Sequence, residues 1–551
     1  MKRYFSISCK ILQDSEVFKL TTKERSIISS IPQLKQLKET NDTKRNFKAD
    51  HNLFSKIEDA KDAIGKFNKM DEYKLDKITK LGEIFKVTDD GYLNYQEGKT
   101  NDDLPNPFQQ LGKSRLSVTN LLTKTWCELR EYYDIYSNMP KFITKNIRLG
   151  KKGHSALESS AHKVFPELAD VISEVQVPAS KKSEIAKLVD DVDQFYNFAS
   201  SWCTNIVRIV DLFKNGEARE ILVHSYVDCK SSEFIKELPL HKNTVDGSQK
   251  EILISGIIDH LKLEGTLPLI GQFTKTLDTF IDMGIPKLLD KKQERLNDYK
   301  ISVSDIKTRS RLSIPYQKNV INSSKLQVMY YRYFLENLSL NPEHTYYKLL
   351  LNAQKRNYDV DKPLHAVQIR HLLTYYGDFF YLDFLSLKRG EKIGFVPLDE
   401  FGGDYDGGKN IFINDYDFIS PNLKQIYPLL FEGTWYKLPT LRYLAARMAQ
   451  LYQVFQPNRL ENKLRIEYYM GKYRFAEKLF EYDFGELNRH LHDSMGFWMG
   501  KRQVSPVKST LKTFSIYCNG CDYSKVCLYK NKNVDGFKQL GNSLKKIYSD
   551  S

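Results

Sequence analysis

The chain reads as an α/β protein. Short apolar runs with strand character alternate with stretches of helical periodicity, and acidic residues sit in or at the end of two of those runs. The most informative run is residues 301–309 (ISVSDIKTR), which holds the pair Asp305-x-Lys307. Residues two apart on a strand share a face, so this carboxylate and this ammonium group project together. Metal-assisted phosphodiester hydrolysis uses such a pair, an oxygen ligand for a divalent ion beside a cation. A surface ion pair of little energetic weight would look the same. Residues 252–259 (ILISGIID) form a second apolar strand that delivers Asp259 at its C-terminal end, where ligands gather in α/β sheets. Residues 217–226 (EAREILVHSY) read as a third strand.

Length and charge set the frame for these strands. A chain of 551 residues holds two to four structural units by the usual domain sizes. The formal net charge of +14 points to a polyanionic partner, nucleic acid before membrane. No apolar run approaches a membrane span, so a soluble chain is expected. Seven cysteines, of which Cys518, Cys521 and Cys527 crowd together near the C-terminus, argue against a secreted disulfide scaffold and for a metal site. From the thiols alone, zinc and an iron–sulfur centre both stay open.

Taken in order, residues 1–20 have the basic, serine-bearing character of a mitochondrial targeting segment, with no acid before Asp14. Residues 21–110 form a polar extension, expected to be partly disordered, with one helix plausible at 53–67. A helix over 117–133 starts at a Ser117 or Thr119 cap and carries Cys127 within it. In residues 146–162, Gly150, His154 and Glu158 are spaced four apart and share one helical face, bringing an imidazole and a carboxylate together. Arg309 and Arg311 follow the Asp-x-Lys strand. Gln327 and Tyr331 lie one turn apart on a helix at 323–338, where an amide and a phenol could hydrogen-bond a phosphate or base. Residues 340–495 read as mostly helical, interrupted by a Gly- and Asp-rich loop at 399–408 that fits no EF-hand. Trp498, Gly500 and Arg502 precede the cysteines.

Together these residues resemble the exonuclease V family, in the RecB-like branch of PD-(D/E)XK nucleases. The pattern is G-x3-H-x3-E (Gly150, His154, Glu158), then G-[IV]-[IV]-D (Gly256 to Asp259), then D-x-K (Asp305, Lys307), then Q-x3-Y (Gln327, Tyr331), in that order. The resemblance covers roughly residues 112–530. It implies a restriction-endonuclease-like core of mixed sheet and helices at 111–345, a mostly helical region at 346–496, and a C-terminal iron–sulfur segment at 497–551. It implies that Cys127, Cys518, Cys521 and Cys527 hold a [4Fe-4S] cluster, and that His154, Asp259 and Asp305 hold Mg²⁺ or Mn²⁺. Lys307 and Glu158 complete the catalytic set, with Glu158 either a ligand or an orienting group. Gln327, Tyr331, Arg309, Arg311 and Arg502 are expected to contact DNA. The implied activity is that of a monomeric, mitochondrial, single-stranded DNA exonuclease working from a free end, 5′ to 3′, in mitochondrial DNA maintenance. A catalytically dead metal-knuckle nucleic-acid binder, an endonuclease or an RNA-directed nuclease are the alternatives.

Overall fold

A computed structural model describes residues 72–94, 104–140, 143, 145–190, 194–237, 251–264, 299–401, 413–508 and 510–549. The targeting segment, the helix expected at 53–67 and most of the 399–408 loop lie outside these residues. The chain divides at Tyr73, and the unit from Lys74 onward carries every predicted site residue.

Two mixed sheets form the core. The first has strand order β1-β5-β3-β4, from β1 (Arg115–Ser117), β3 (Ile221–Asp228), β4 (Phe234–Ile235) and β5 (Glu251–Ile258). The second has order β2-β6-β7-β8-β9, from β2 (Glu217–Ala218), β6 (His260–Glu264), β7 (Lys300–Thr308), β8 (Lys463–Met470) and β9 (Tyr473–Glu481). The chain crosses between the sheets twice. It passes from β2 to β3 through Arg219 and Glu220, and from β5 to β6 through Asp259 alone. The two crossings lie side by side, because Ile221 pairs with Ile258 in one sheet and Ala218 with Leu261 in the other. The β-branched and leucine side chains of β5 and β7 explain why these runs are strands: Ile252, Leu253, Ile254, Ile258, Ile301 and Val303 are all essentially solvent-free.

The expected third strand at 217–226 is therefore two strands. Glu220 takes a left-handed conformation (φ 57°), which ends one ladder and starts the other. The region expected to be mostly helical contains its helices, including α6 (Ala366–Arg389) and α7 (Leu441–Gln453). It also contains β8 and β9, and β8 runs parallel to β7 with Asp305 opposite Ile466. The sheet under the Asp-x-Lys motif is thus completed from far along the sequence.

The helices that position the site are α1 (Glu128–Ser137), α2 (Lys145–Ala161), α3 (Gln194–Asn215), α4 (Lys318–Ser339) and α5 (Pro342–Gln354). The predicted helix at 117–133 is broken. Ser117 does cap a helical turn, Val118–Leu121, in a reciprocal box with Asn120. The threonine-rich stretch then diverts the chain, with Thr125 donating its hydroxyl to the Leu122 carbonyl (2.8 Å). Cys127 consequently stands at the N-cap of α1 and not inside a helix.

Gly256 has a packing reason. A Cβ there would meet Tyr331 Cε1 at 2.6 Å and Val118 Cγ2 at 3.0 Å, so the bare backbone of β5 lets the ring of Tyr331 lie against it. Gly256→Ala is expected to cost about 1–3 kcal/mol through overpacking. Chemical denaturation measures this, and wild-type stability would mean that Tyr331 moves aside without penalty.

Candidate active site

Both crossings between the sheets supply an acid to one point. Glu220 and Asp259 stand there with His154 of α2, and one ligand atom from each lies within 4.8 Å of the other two. No other group of three His, Cys, Asp or Glu side chains among the described residues is so close. Helix α2 reaches the sheet because of its glycines: a Cβ on Gly153 would sit 2.9 Å from Thr308 Cγ2, and one on Gly150 3.4 Å from Thr308 Oγ1. His154 Nδ1 is 3.9 Å from Glu220 Oε1. The Glu220 carboxylate, against the effect of burial and with help from Asp259, holds His154 above the usual imidazole range.

Asp259 is flanked by the second half of the site. Its Oδ2 accepts the Ile306 N–H (2.8 Å), which fixes the carboxylate between the sheets. Burial, reinforced by Asp305, raises its pKa to about 8 against the opposing pull of Lys307, His154 and that backbone donor. Asp305 is itself fully buried. Lys307 Nζ donates to its Oδ1 (3.0 Å) and stands 2.8 Å from its Oδ2, which accepts no well-directed hydrogen bond. Burial works against the lysine charge, but Asp305 and Asp259 outweigh it and hold the ammonium above its ordinary value. Lys307 also donates to Gln327 Oε1 (3.0 Å), whose Nε2 donates to the Tyr331 hydroxyl (2.7 Å). The motif residues from three separate stretches thus form one connected chain.

This donor set suits a hard divalent cation: one imidazole and two carboxylates, of which Asp259 is kept by burial from ionising on its own. Asp305, expected as a ligand, is not one of the three but interacts with Asp259 and keeps an oxygen without a well-directed hydrogen bond. Such an ion replaces the proton as the neutraliser of two crowded acids.

Glu158 lines the same cavity as these residues but is not one of the three that cluster. Its carboxylate pairs with Arg208 of α3, and the same guanidinium donates through Nη1 to the Glu220 carbonyl (3.0 Å). Glu158 therefore anchors the arginine that holds the left-handed Glu220 in place, and Glu220 takes the position by the imidazole. The sequence reading missed Glu220. The available signal was its place immediately before an apolar strand, mirroring Asp259 immediately after one. Arg309 and Arg311 line a separate hollow of about 630 Å³ on the other flank of the α2 glycines, together with Lys152 and Lys472. Arg502, expected to contact DNA, is occupied otherwise. It makes a bidentate pair with the buried Glu128 (2.7 and 2.6 Å) and bonds the Asp493 carbonyl (2.8 Å).

The C-terminal cysteines come back to α1. Tyr523 donates to Asp134 Oδ1 (2.6 Å) and packs edge-on against Tyr133, while Asp522 faces Arg130 at 3.4 Å. None of Cys127, Cys518, Cys521 and Cys527 is in a disulfide. Burial, with the neighbouring thiols of the group adding to it, pushes Cys518 up to about 11 and Cys527 up to about 12. Cys127 is among those neighbours for both.

Two outcomes follow from this geometry. Arg502→Leu leaves Glu128 buried without its partner and is expected to cost about 3–5 kcal/mol, measured by denaturation; a change below 1 kcal/mol or so would mean Glu128 is neutralised some other way. Cation binding at the first cluster must displace a proton from Asp259. Affinity for Mn²⁺ should therefore rise between roughly pH 6 and 8 and level off above, as followed by titration at constant ionic strength; a flat profile would place the ion elsewhere.

Residues 106–530 match the family described as Exonuclease V, a 5′ deoxyribonuclease. "Exonuclease V, mitochondrial" of Eremothecium gossypii is 37% identical over 503 residues, covering 86% of this chain and 90% of that one. The Kluyveromyces lactis protein of the same name is 37% identical over 464 residues, 79% of each chain. That of Saccharomyces cerevisiae strain S288c is 34% identical over 516 residues, 86% of this chain and 85% of its own. The chain belongs to the exonuclease V family, as an exodeoxyribonuclease of its fungal, mitochondrial type.

Proposed function

We propose that this protein hydrolyses single-stranded DNA from a free end, 5′ to 3′, in mitochondrial DNA maintenance, using a divalent ion at the junction of its two sheets. The observation that carries the proposal is the convergence of His154, Glu220 and Asp259 within 4.8 Å, beside the pair of buried Asp305 and half-buried Lys307. His154, Glu220, Asp259 and Asp305 would hold Mg²⁺ or Mn²⁺. When bound, such an ion polarises a phosphate oxygen and makes water acidic enough to serve as the nucleophile.

The protein's own groups do the rest. Lys307 is kept charged by Asp305 and Asp259, so it acts as a fixed cation for the negative charge that develops on the phosphate, and not as a proton acceptor. Gln327 accepts from Lys307 and donates to Tyr331, which turns the phenol outward as a donor to a phosphate oxygen. Burial holds that phenol un-ionised. Asp305 orients Lys307 and Ile306 N–H orients Asp259. Arg309 and Arg311, with Lys152 and Lys472 beside them, offer the strand a basic path outside the cluster. The main-chain motifs Gly150, Gly153 and Gly256 act by permitting close packing.

Cys127, Cys518, Cys521 and Cys527 neighbour one another, and we take them to hold a [4Fe-4S] cluster, as the family resemblance implies. The group would act as a staple, joining the start of α1 to the C-terminal segment. No helix among the described residues is long and apolar enough to cross a membrane. We take the protein to act as a monomer.

The test uses anaerobically purified protein, wild type beside Asp305→Ala, with end-labelled linear single-stranded DNA, a circular single strand and an RNA oligomer, Mg²⁺ present. Broad visible absorption and degradation of the linear DNA alone, lost with Asp305→Ala, is the expected result. Cutting of the circle would make it an endonuclease, and a colourless protein that binds DNA but cuts nothing would leave a binding module.

A further inference from the structure

The metal cluster opens into a cavity of about 780 Å³, and two arginines lie on the wall of the same cavity. Arg115 belongs to β1, and its Nη1 donates to Ser255 Oγ (2.6 Å). Arg356 follows α5; its Nε donates to Asn352 Oδ1 (2.7 Å), and its guanidinium lies 5.0 Å over the ring of Phe198. Among the described residues neither forms an ion pair with a carboxylate, whereas Arg208, Arg332, Arg370, Arg447 and Arg502 each face an acid. Among the described residues each guanidinium makes one side-chain hydrogen bond, and neither has a buried N–H left without a partner.

The electrostatics agree with a missing anion. Burial, then the charge of Arg115, lowers Arg356 to about 10. Burial lowers Arg115 as well. Two like charges held together at a site that already disfavours charge are a standing cost, and an oxyanion with several acceptor atoms removes it. The setting suits a nucleic-acid strand in particular. Arg356 and Phe198 make a cation-over-ring surface, with Trp202 packed 4.7 Å behind Phe198, the kind of face on which a base stacks. Ser255, which positions Arg115, precedes Asp259 by four residues on the same strand run, about 13 Å at strand spacing. The arginines therefore stand along the cavity from the cation cluster and not on top of it.

We infer that Arg115 and Arg356 form a phosphate-binding subsite that anchors the substrate strand a fixed distance from the metal cluster and so sets where it is cut. This rests on the single-stranded DNA reading above. The phosphate is either an internal diester or the terminal 5′-phosphate, and the two call on the same guanidinium chemistry. Held at that point, the strand presents the next phosphates to Lys307 and Tyr331 in a defined register.

The experiment compares wild type, Arg115→Gln, Arg356→Gln and Arg356→Lys as full-length, cluster-loaded protein, each first matched for thermal melting and visible absorption. Binding of labelled single-stranded oligonucleotides carrying 5′-phosphate or 5′-hydroxyl is measured without divalent ion across a salt series, and the cut positions are then mapped with Mg²⁺. Each Gln variant should bind about tenfold more weakly, with a salt slope shallower by roughly one, and should scatter the cut positions. Arg356→Lys should restore the salt slope but not the cut positions, since an ammonium group lacks the fork. Loss on both ends assigns an internal phosphate; loss only with the 5′-phosphate assigns the terminal one. Gln variants that bind with wild-type affinity and slope overturn the subsite. The binding arm decides this by itself: wild-type protein that binds but does not cut single strands would refute the exonuclease reading and leave the subsite standing or falling on its own affinities.

Discussion

The site depends on one constraint, the burial of the Asp259 carboxylate in the single residue between β5 and β6. Because only one residue spans the two sheets there, the carboxylate has nowhere else to go, and the Ile306 N–H of β7 holds it at 2.8 Å. That contact fixes the first sheet against the strand that carries Asp305 and Lys307. The neighbouring crossing repeats the arrangement with Glu220, whose left-handed backbone is stabilised by Arg208 through its carbonyl and, through Arg208, by Glu158. Acidic side chains so close together raise each other's cost of ionisation, and a divalent cation is the partner that relieves it. Strain and crowding are concentrated where the chemistry is placed.

A second constraint works at longer range. Glu128 and Arg502 are 374 residues apart and form a buried bidentate pair beside Cys127. Tyr523 bound to Asp134 of α1 and the Val526 carbonyl accepting the Leu93 N–H (2.8 Å) add further contacts that seat the C-terminal cysteine segment. The C-terminal cysteine segment and the two sheets are coupled by this route, since α8 (Phe484–Trp498), which leads from β9 to Arg502, bonds back to Asn120 and Leu121 through Trp498 and Ser494.

Much of this was legible in the sequence, for identifiable reasons. Asp305-x-Lys307 and Asp259 announce themselves because period-two apolar runs fix which way their side chains point. The i, i+4 spacing of Gly150 and His154 likewise fixes a shared face. For Glu158 the same spacing left a ligand and an orienting role both open, and only the packing of α3 shows its contact with Arg208. Glu220 escaped because an acid at a strand start carries no periodic signal, and a positive φ is invisible in a residue that is not glycine. Strands β8 and β9 escaped through their surroundings. Lys463-Leu464-Arg465-Ile466-Glu467-Tyr468 alternates cleanly, with Leu464, Ile466 and Tyr468 buried, yet it follows a long helical stretch whose periodicity dominates the reading. Arg502 looked like a DNA contact because charge alone does not reveal a buried partner 374 residues away.

The most direct test of the central claim is Mn²⁺ binding to DNA-free protein, followed by electron paramagnetic resonance, in wild type, Glu220→Gln and Glu158→Gln. If the ion sits between the two sheet crossings, Glu220→Gln weakens binding at least tenfold, and Glu158→Gln, which acts only through Arg208, has the smaller effect. Unchanged affinity in Glu220→Gln together with loss in Glu158→Gln would contradict the account and return the ligand role to the helix.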